Sequence, residues 1–227
     1  MKLPIPLRIG WESVKVNVVP MVVLWLVALL VLLGYYHFRA VANVLEPLSR
    51  LQTECGWRAA FASRMFFCGL VPGFFLLTVR PIRPRRVLLT ILAYSLWAGL
   101  WGVICDLFCK FQALWFGEMT TGWAVVFKTL VDQFVFTVLF STPLNVLFFS
   151  WVAQDFSVRR MAANLPRHVL RDACLPMLIA TWAVWLPTMY FIYQFPVPLQ
   201  IQLIGLVGAY WMLIGLGIGR AGYRRGC

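Results

Sequence analysis

The chain has 227 residues, of which 62% are hydrophobic, with a mean hydropathy of +0.82 and a net charge of +12 from 20 Lys and Arg against 8 Asp and Glu. A soluble domain is about 45–50% apolar, so a soluble fold with one core is excluded, whereas a bilayer takes up that much apolar surface directly. On a soluble surface the basic excess would point to nucleic acid; here it falls between apolar runs, where it sets topology and meets anionic headgroups, and no nucleic-acid partner is expected.

The first apolar run, residues 18–36, is long enough for about 30 Å of helix. It lacks the cleavage site of a secretory signal and reads as a retained anchor helix. A second run covers about 59–79, with Arg58 and Arg64 at its start and Pro72 and Gly73 inside it. Pro81, Pro84 and four arginines (Arg80, Arg83, Arg85, Arg86) then form a basic turn. The third run is 87–109. The fourth, 123–152, is too long for one straight span and carries Lys128, Asp132 and Gln133 early. Residues 154–175 are polar and basic and are expected along the surface. The fifth run is about 176–195, a short turn follows at Pro196-Val197-Pro198, and the sixth run is 199–219.

The expected fold is therefore all-α: a polytopic membrane bundle of about six transmembrane helices, forming one integral membrane domain over 1–227. Residues 18–36 add an N-terminal anchor to a bundle over 59–219. Taking the termini and even-numbered loops as one side places 14 Lys and Arg there and 6 on the other. By the positive-inside rule both termini are cytoplasmic.

Six cysteines, at 55, 68, 105, 109, 174 and 227, form no CxxC pair, and the two histidines stand far from them, so no metal or cofactor is expected. Cys105 and Cys109 share a helix face in an apolar stretch and read as core. No phosphate-binding, dinucleotide, metalloprotease or nucleophile-elbow motif is present, and no enzyme is expected.

Ionisable residues at membrane depth are costly and raise a functional question. Asp106 and Lys110 are spaced i,i+4 on the third helix, Lys128 and Asp132 likewise on the fourth, and Gln133 stands beside Asp132. Each pair can neutralise itself on its own helix. Two readings stand: a polar clasp between adjacent helices, or the polar entry of a pathway. Small residues at i,i+4 mark close helix contacts at Gly69 and Gly73, Ala98 and Gly102, and Gly215 and Gly219. Pro143 and Pro187 fall inside helices four and five, where each removes a backbone donor and is expected to kink the helix.

The segment Lys128-Thr-Leu-Val-Asp132-Gln133-Phe-Val-Phe resembles the Lys-x3-Asp-Gln start of a membrane helix in the family of the 22-kDa peroxisomal membrane protein and its Mpv-type inner-mitochondrial relatives. Gly99-Leu-Trp-Gly102-Val-Ile-Cys-Asp106-Leu-Phe108 sits where that family has Gly-Pro-x2-His-x-Trp-Tyr, and Trp182-Ala-Val-Trp185-Leu-Pro187 is similar to its Trp-x2-Trp-Pro motif. The resemblance covers about residues 86–220. Val138 stands at the family's Pro after Asp-Gln, Asp106 matches its His, and its early Gly-Asp motif is absent around 65–79. The resemblance implies a small helical membrane protein without a cofactor and with a channel-like role, as a divergent bacterial relative.

The leading expectation is a small channel or solute-permeation protein of a bacterial inner membrane, with an organelle membrane as the other location. Its partners would be the lipid bilayer and a second copy or other membrane helices. The alternative is an assembly protein whose glycine faces bind partner helices.

Overall fold

The computed structural model describes residues 8, 11, 12, 14, 15, 18–74, 84–118, 121–165 and 168–224; of residues 20, 84–86, 210 and 213–224 only the backbone is described. All regular structure among the described residues is helical. The expected basic turn lies mostly in 75–83, outside the described residues.

Helix α1 is Val18–His37 and α2 is Arg39–Cys55. They meet at Phe38, whose extended backbone (φ −126°, ψ 113°) breaks the helix, and the chain turns by 103° there. Gly34 makes the corner possible, since a Cβ on it would come 3.2 Å from Val41 Cγ2. The corner is closed by an apolar cluster of Leu32, Phe195 and Leu199, flanked by Tyr35, Leu45 and Leu48. Gly56 ends α2 at φ +54°, a conformation that glycine alone adopts without strain.

Helix α3 is Trp57–Arg64 and continues through a π segment, Met65–Leu70, to residue 74. Helix α4 is Pro84–Phe116. The two run antiparallel at close approach. A Cβ on Gly102 would collide with the Ala60 carbonyl and one on Gly69 with the Ser95 backbone; one on Gly73 would come 2.8 Å from Ile91. Gly99 lies against the Phe61 ring and Ala98 is buried. Gly69, Gly73 and Gly102, singled out from the sequence, therefore lie where α3 and α4 of this same chain approach closely. Gly215 and Gly219 are in the helical backbone of the last element, but their surroundings lie outside the described residues.

Helix α5, Trp123–Ala153, is continuous for 31 residues. Its middle, Val131–Ser141, is a π-helix, and Pro143 opens the α-helical turn that follows. Proline cannot donate to the carbonyl four residues back. The wider i→i+5 register absorbs this, with Thr142 N–H donating to Thr137 O. At Pro143, where the sequence leads one to expect a kink, the helix runs on and the preceding register widens to a π segment.

A short helix α6, Val158–Asn164, follows a turn with Asp155 and Phe156 at positive φ. Helix α7 is Leu170–Ile192, beginning in a π turn and carrying Pro187 inside. Helix α8 is Val197–Arg224. Pro198 sits in its first turn, where a missing N–H costs nothing. Gln200 Nε2 donates to Phe195 O at 2.6 Å and ties the α7–α8 turn to α8.

Three helices are long and apolar enough to cross a membrane (Val87–Phe116 within α4, α5 and α7), or four if the bent pair α1–α2 counts as one. Their outward faces are apolar. On α4, Leu88, Leu92, Leu96, Leu100, Leu107 and Phe111 are all exposed. They run from Leu88 to Phe111, 24 residues or about 35 Å of helix, close to the hydrocarbon thickness of a bilayer. A stripe that long would be an aggregation surface in water; the fold is compatible with an integral membrane location.

The chain groups into two compact units: Met1–Val27 with Val125–Tyr190, and Ala28–Ala124 with Phe191–Cys227. They are called here the α5 unit and the α4 unit.

Candidate functional site

In the α4 unit, Asp106 is completely buried. It accepts from Lys110 Nζ through Oδ2 at 2.8 Å, one helical turn on, as the i,i+4 spacing leads one to expect. Its other oxygen accepts from Gln52 Nε2 of α2 at 2.9 Å. Gln52 Oε1 in turn accepts from Gln202 Nε2 of α8 at 2.7 Å, and Gln52 Nε2 also reaches Gly56 O at 3.0 Å. This is one hydrogen-bonded chain, Gln202–Gln52–Asp106–Lys110, joining α2, α4 and α8. Both Asp106 oxygens and both functional ends of Gln52 are used. Lys110 is half exposed and carries the chain to the surface.

Gln52 and Gln202 are absent from the sequence-derived candidates. Gln202 had a signal, being one of two glutamines within an apolar run. Gln52 carries no such signal, because residues 39–55 contain no apolar run.

Arg64 is also placed differently from the sequence reading, which puts it among the basic residues at the entrance of a span. It is buried, its Nη2 donates to Ile204 O of α8 at 3.1 Å, and Cys68, Cys105 and Cys109 stand around the guanidinium. Cys68 Sγ donates to the next carbonyl of α8, Gly205 O, at 3.1 Å. Gly208 leaves room for this, since a Cβ there would come 2.9 Å from Cys68 Sγ. Arg64 thus braces α3 against α8.

In the α5 unit, α5 carries a run of buried polar side chains: Lys128, Thr129, Asp132, Gln133, Thr137 and Thr142. The π register keeps Asp132, Gln133, Thr137 and Thr142 on the buried side, where a regular α-helix would rotate them progressively away. Thr129 is satisfied by its own helix at Val125 O. Gln133 Nε2 donates to Asp132 Oδ2 at 3.2 Å. The Gln133 backbone carbonyl accepts from Trp182 Nε1 of α7 at 2.8 Å, and the Trp182 and Phe134 rings are 5.0 Å apart. Gln133 Oε1 is buried and has no hydrogen-bond partner among the described residues. A buried amide oxygen left so costs about 1–3 kcal/mol, unless water or a solute meets it.

Pro187 adjoins further polar contacts in this unit. Thr188 Oγ1 donates to Val184 O at 2.6 Å, and Trp25 Nε1 of α1 reaches the same carbonyl at 3.3 Å.

The five polar residues singled out from the sequence divide between the two units. Asp106 and Lys110 belong to a chain completed by Gln52 and Gln202, while Lys128, Asp132 and Gln133 belong to the α5 run. No family model, curated protein or solved structure matches the chain.

Proposed function

We propose that the chain is a small integral membrane protein with a solute-permeation role, and that its pathway follows the polar run of α5. The observation that carries this reading is the length of that run. From Lys128 to Thr142 it extends about 20 Å along the helix, most of a bilayer's hydrocarbon thickness. A clasp between two helices needs one or two polar groups, since an intramembrane hydrogen bond contributes only about 0.6–2 kcal/mol. Six buried polar side chains in series, one with an unfilled amide oxygen, suit a hydrated path better. Asp132 and Lys128 would keep that path near neutral, favouring weak charge selectivity. No catalytic residue is part of this reading.

Six spans with both termini on the cytoplasmic side belong to the same proposal. The 14 to 6 basic asymmetry supports it, as does the antiparallel fit of α3 on α4, which gives the two helices a common depth. A bacterial inner membrane is the proposed location. Descent from the Mpv-type family over residues 86–220 is proposed on the Lys128–Gln133 and Trp182–Pro187 patterns alone.

The assembly reading has less to stand on, because Gly69, Gly73 and Gly102 face helices of this same chain and Ala98 is buried. Flux of ions and small uncharged solutes into liposomes carrying the purified protein tests the choice. Flux above that of empty liposomes, lowered by Gln133→Leu in equally folded protein, supports permeation. Flux equal to empty liposomes removes it.

A further inference from the structure

Helix α2 divides into three sectors of different chemistry. Successive residues of an α-helix turn by about 100°. Leu45, Leu48 and Gln52 share one sector, packed within the α4 unit. Arg39, Asn43, Glu46 and Arg50 share a second, exposed and polar, with Arg50 Nη2 2.6 Å from Glu46 Oε1. Val44, Pro47 and Leu51 lie between these, exposed and apolar; Val44 is 74% exposed.

A helix in water needs two sectors, core and solvent. A third, apolar yet uncovered by its own chain, calls for a second apolar medium. The placement of α2 says which. It leaves the apolar helix α1 at 103°, so if α1 crosses a bilayer, α2 runs nearly along its surface. On the later half of α1, Leu30 and Leu33 are exposed and apolar, as are Phe38 at the corner and Val44 beyond it. At the far end, Trp57 is exposed with the Arg58 guanidinium 5.6 Å from its ring, an aromatic–basic pairing suited to the headgroup level.

We propose that α2 is an interfacial helix, lying in the boundary between headgroups and acyl chains, with Val44, Pro47 and Leu51 in the lipid and the Arg39–Arg50 sector in water. The bend at Phe38 and the Gln52 hydrogen bonds then fix the α4 unit at a set depth. This rests on the membrane reading above, and the test separates the two.

An environment-sensitive fluorescent amino acid is installed singly at positions 44, 51, 43, 50 and 96 of the full chain, reconstituted in phosphatidylcholine vesicles. Brominated phospholipid and aqueous iodide serve as quenchers. At 44 and 51 lipid quenching should exceed iodide quenching by at least about twofold, with the order reversed at 43 and 50. Position 96, on the exposed face of α4, reports the membrane reading itself. If 96 is quenched by lipid while 44 and 51 answer to iodide, the interfacial helix is refuted and the membrane reading stands. If 44 and 51 are shielded from both quenchers, a second copy or another protein covers the stripe and the proposal is wrong. Iodide quenching at 96 removes both.

Discussion

The two units solve the same problem, polar side chains inside an apolar chain, in opposite ways. In the α4 unit the chain Gln202–Gln52–Asp106–Lys110 uses both Asp106 oxygens and both ends of Gln52 and exits at a half-exposed lysine. It is short, closed and tied to three helices. In the α5 unit the polar side chains run along one helix for about 20 Å, and Gln133 Oε1 is left without a partner among the described residues. Satisfied networks rigidify, whereas open ones need water or a ligand. On the proposed reading the first has a structural task and the second a transport task.

Substitutions can break or sharpen that contrast. The largest effect is expected where the α4 unit has no slack. Gly102→Val drives a side chain into the Ala60 carbonyl and should cost about 3 kcal/mol, read as a fall in the thermal midpoint of the detergent-solubilised protein. A loss below about 0.5 kcal/mol would mean that α3 and α4 separate easily. Asp106→Leu strips the closed chain of its acceptor and should cost about 1–3 kcal/mol, with Asp106→Asn milder because its amide oxygen still accepts from Gln52. Equal stability of all three proteins would show the chain to be incidental.

The α5 run gives the sharper test. If it is hydrated, Asp132→Asn should cost no more than about 1 kcal/mol, because water shares the charge of Lys128. If it is dry, removing one charge should cost about 3–5 kcal/mol, and the contrast between the units disappears. The smallest effect is expected at the surface end of the closed chain. Lys110→Gln should change stability by less than about 1 kcal/mol, since Lys110 is half exposed; a larger loss would make its ion pair with Asp106 central to the unit.

Much of the fold was legible because its signals are local. Apolar runs predicted α1, α4, α5 and α7, and the Gly69 and Gly102 spacings fall where α3 meets α4. Asp106 with Lys110 followed from i,i+4 spacing. What stayed hidden was long-range or periodic in an unfamiliar way. Gln52 meets Asp106 across 54 residues and Gln202 across 150. Helix α2 shows three sectors instead of two, so an apolar-run reading passes over it. Arg64 looks like a boundary residue by charge, and only the packing of α3 on α8 buries it. The π register of α5 has a single local cue, Pro143, and that cue predicts a kink equally well.

The central claim is that the polar run of α5 conducts and the polar chain of the α4 unit does not. Its most direct test is ionic permeability in proteoliposomes of Asp132→Asn, Lys128→Gln and Asp106→Asn, compared at matched folded protein. Removing one charge from a path shifts its preference by about 1 kcal/mol, roughly fivefold. The account predicts a shift towards anions for Asp132→Asn, an opposite shift towards cations for Lys128→Gln, and unchanged permeation for Asp106→Asn. Equal behaviour of all three variants, or a shift confined to Asp106→Asn, would contradict it.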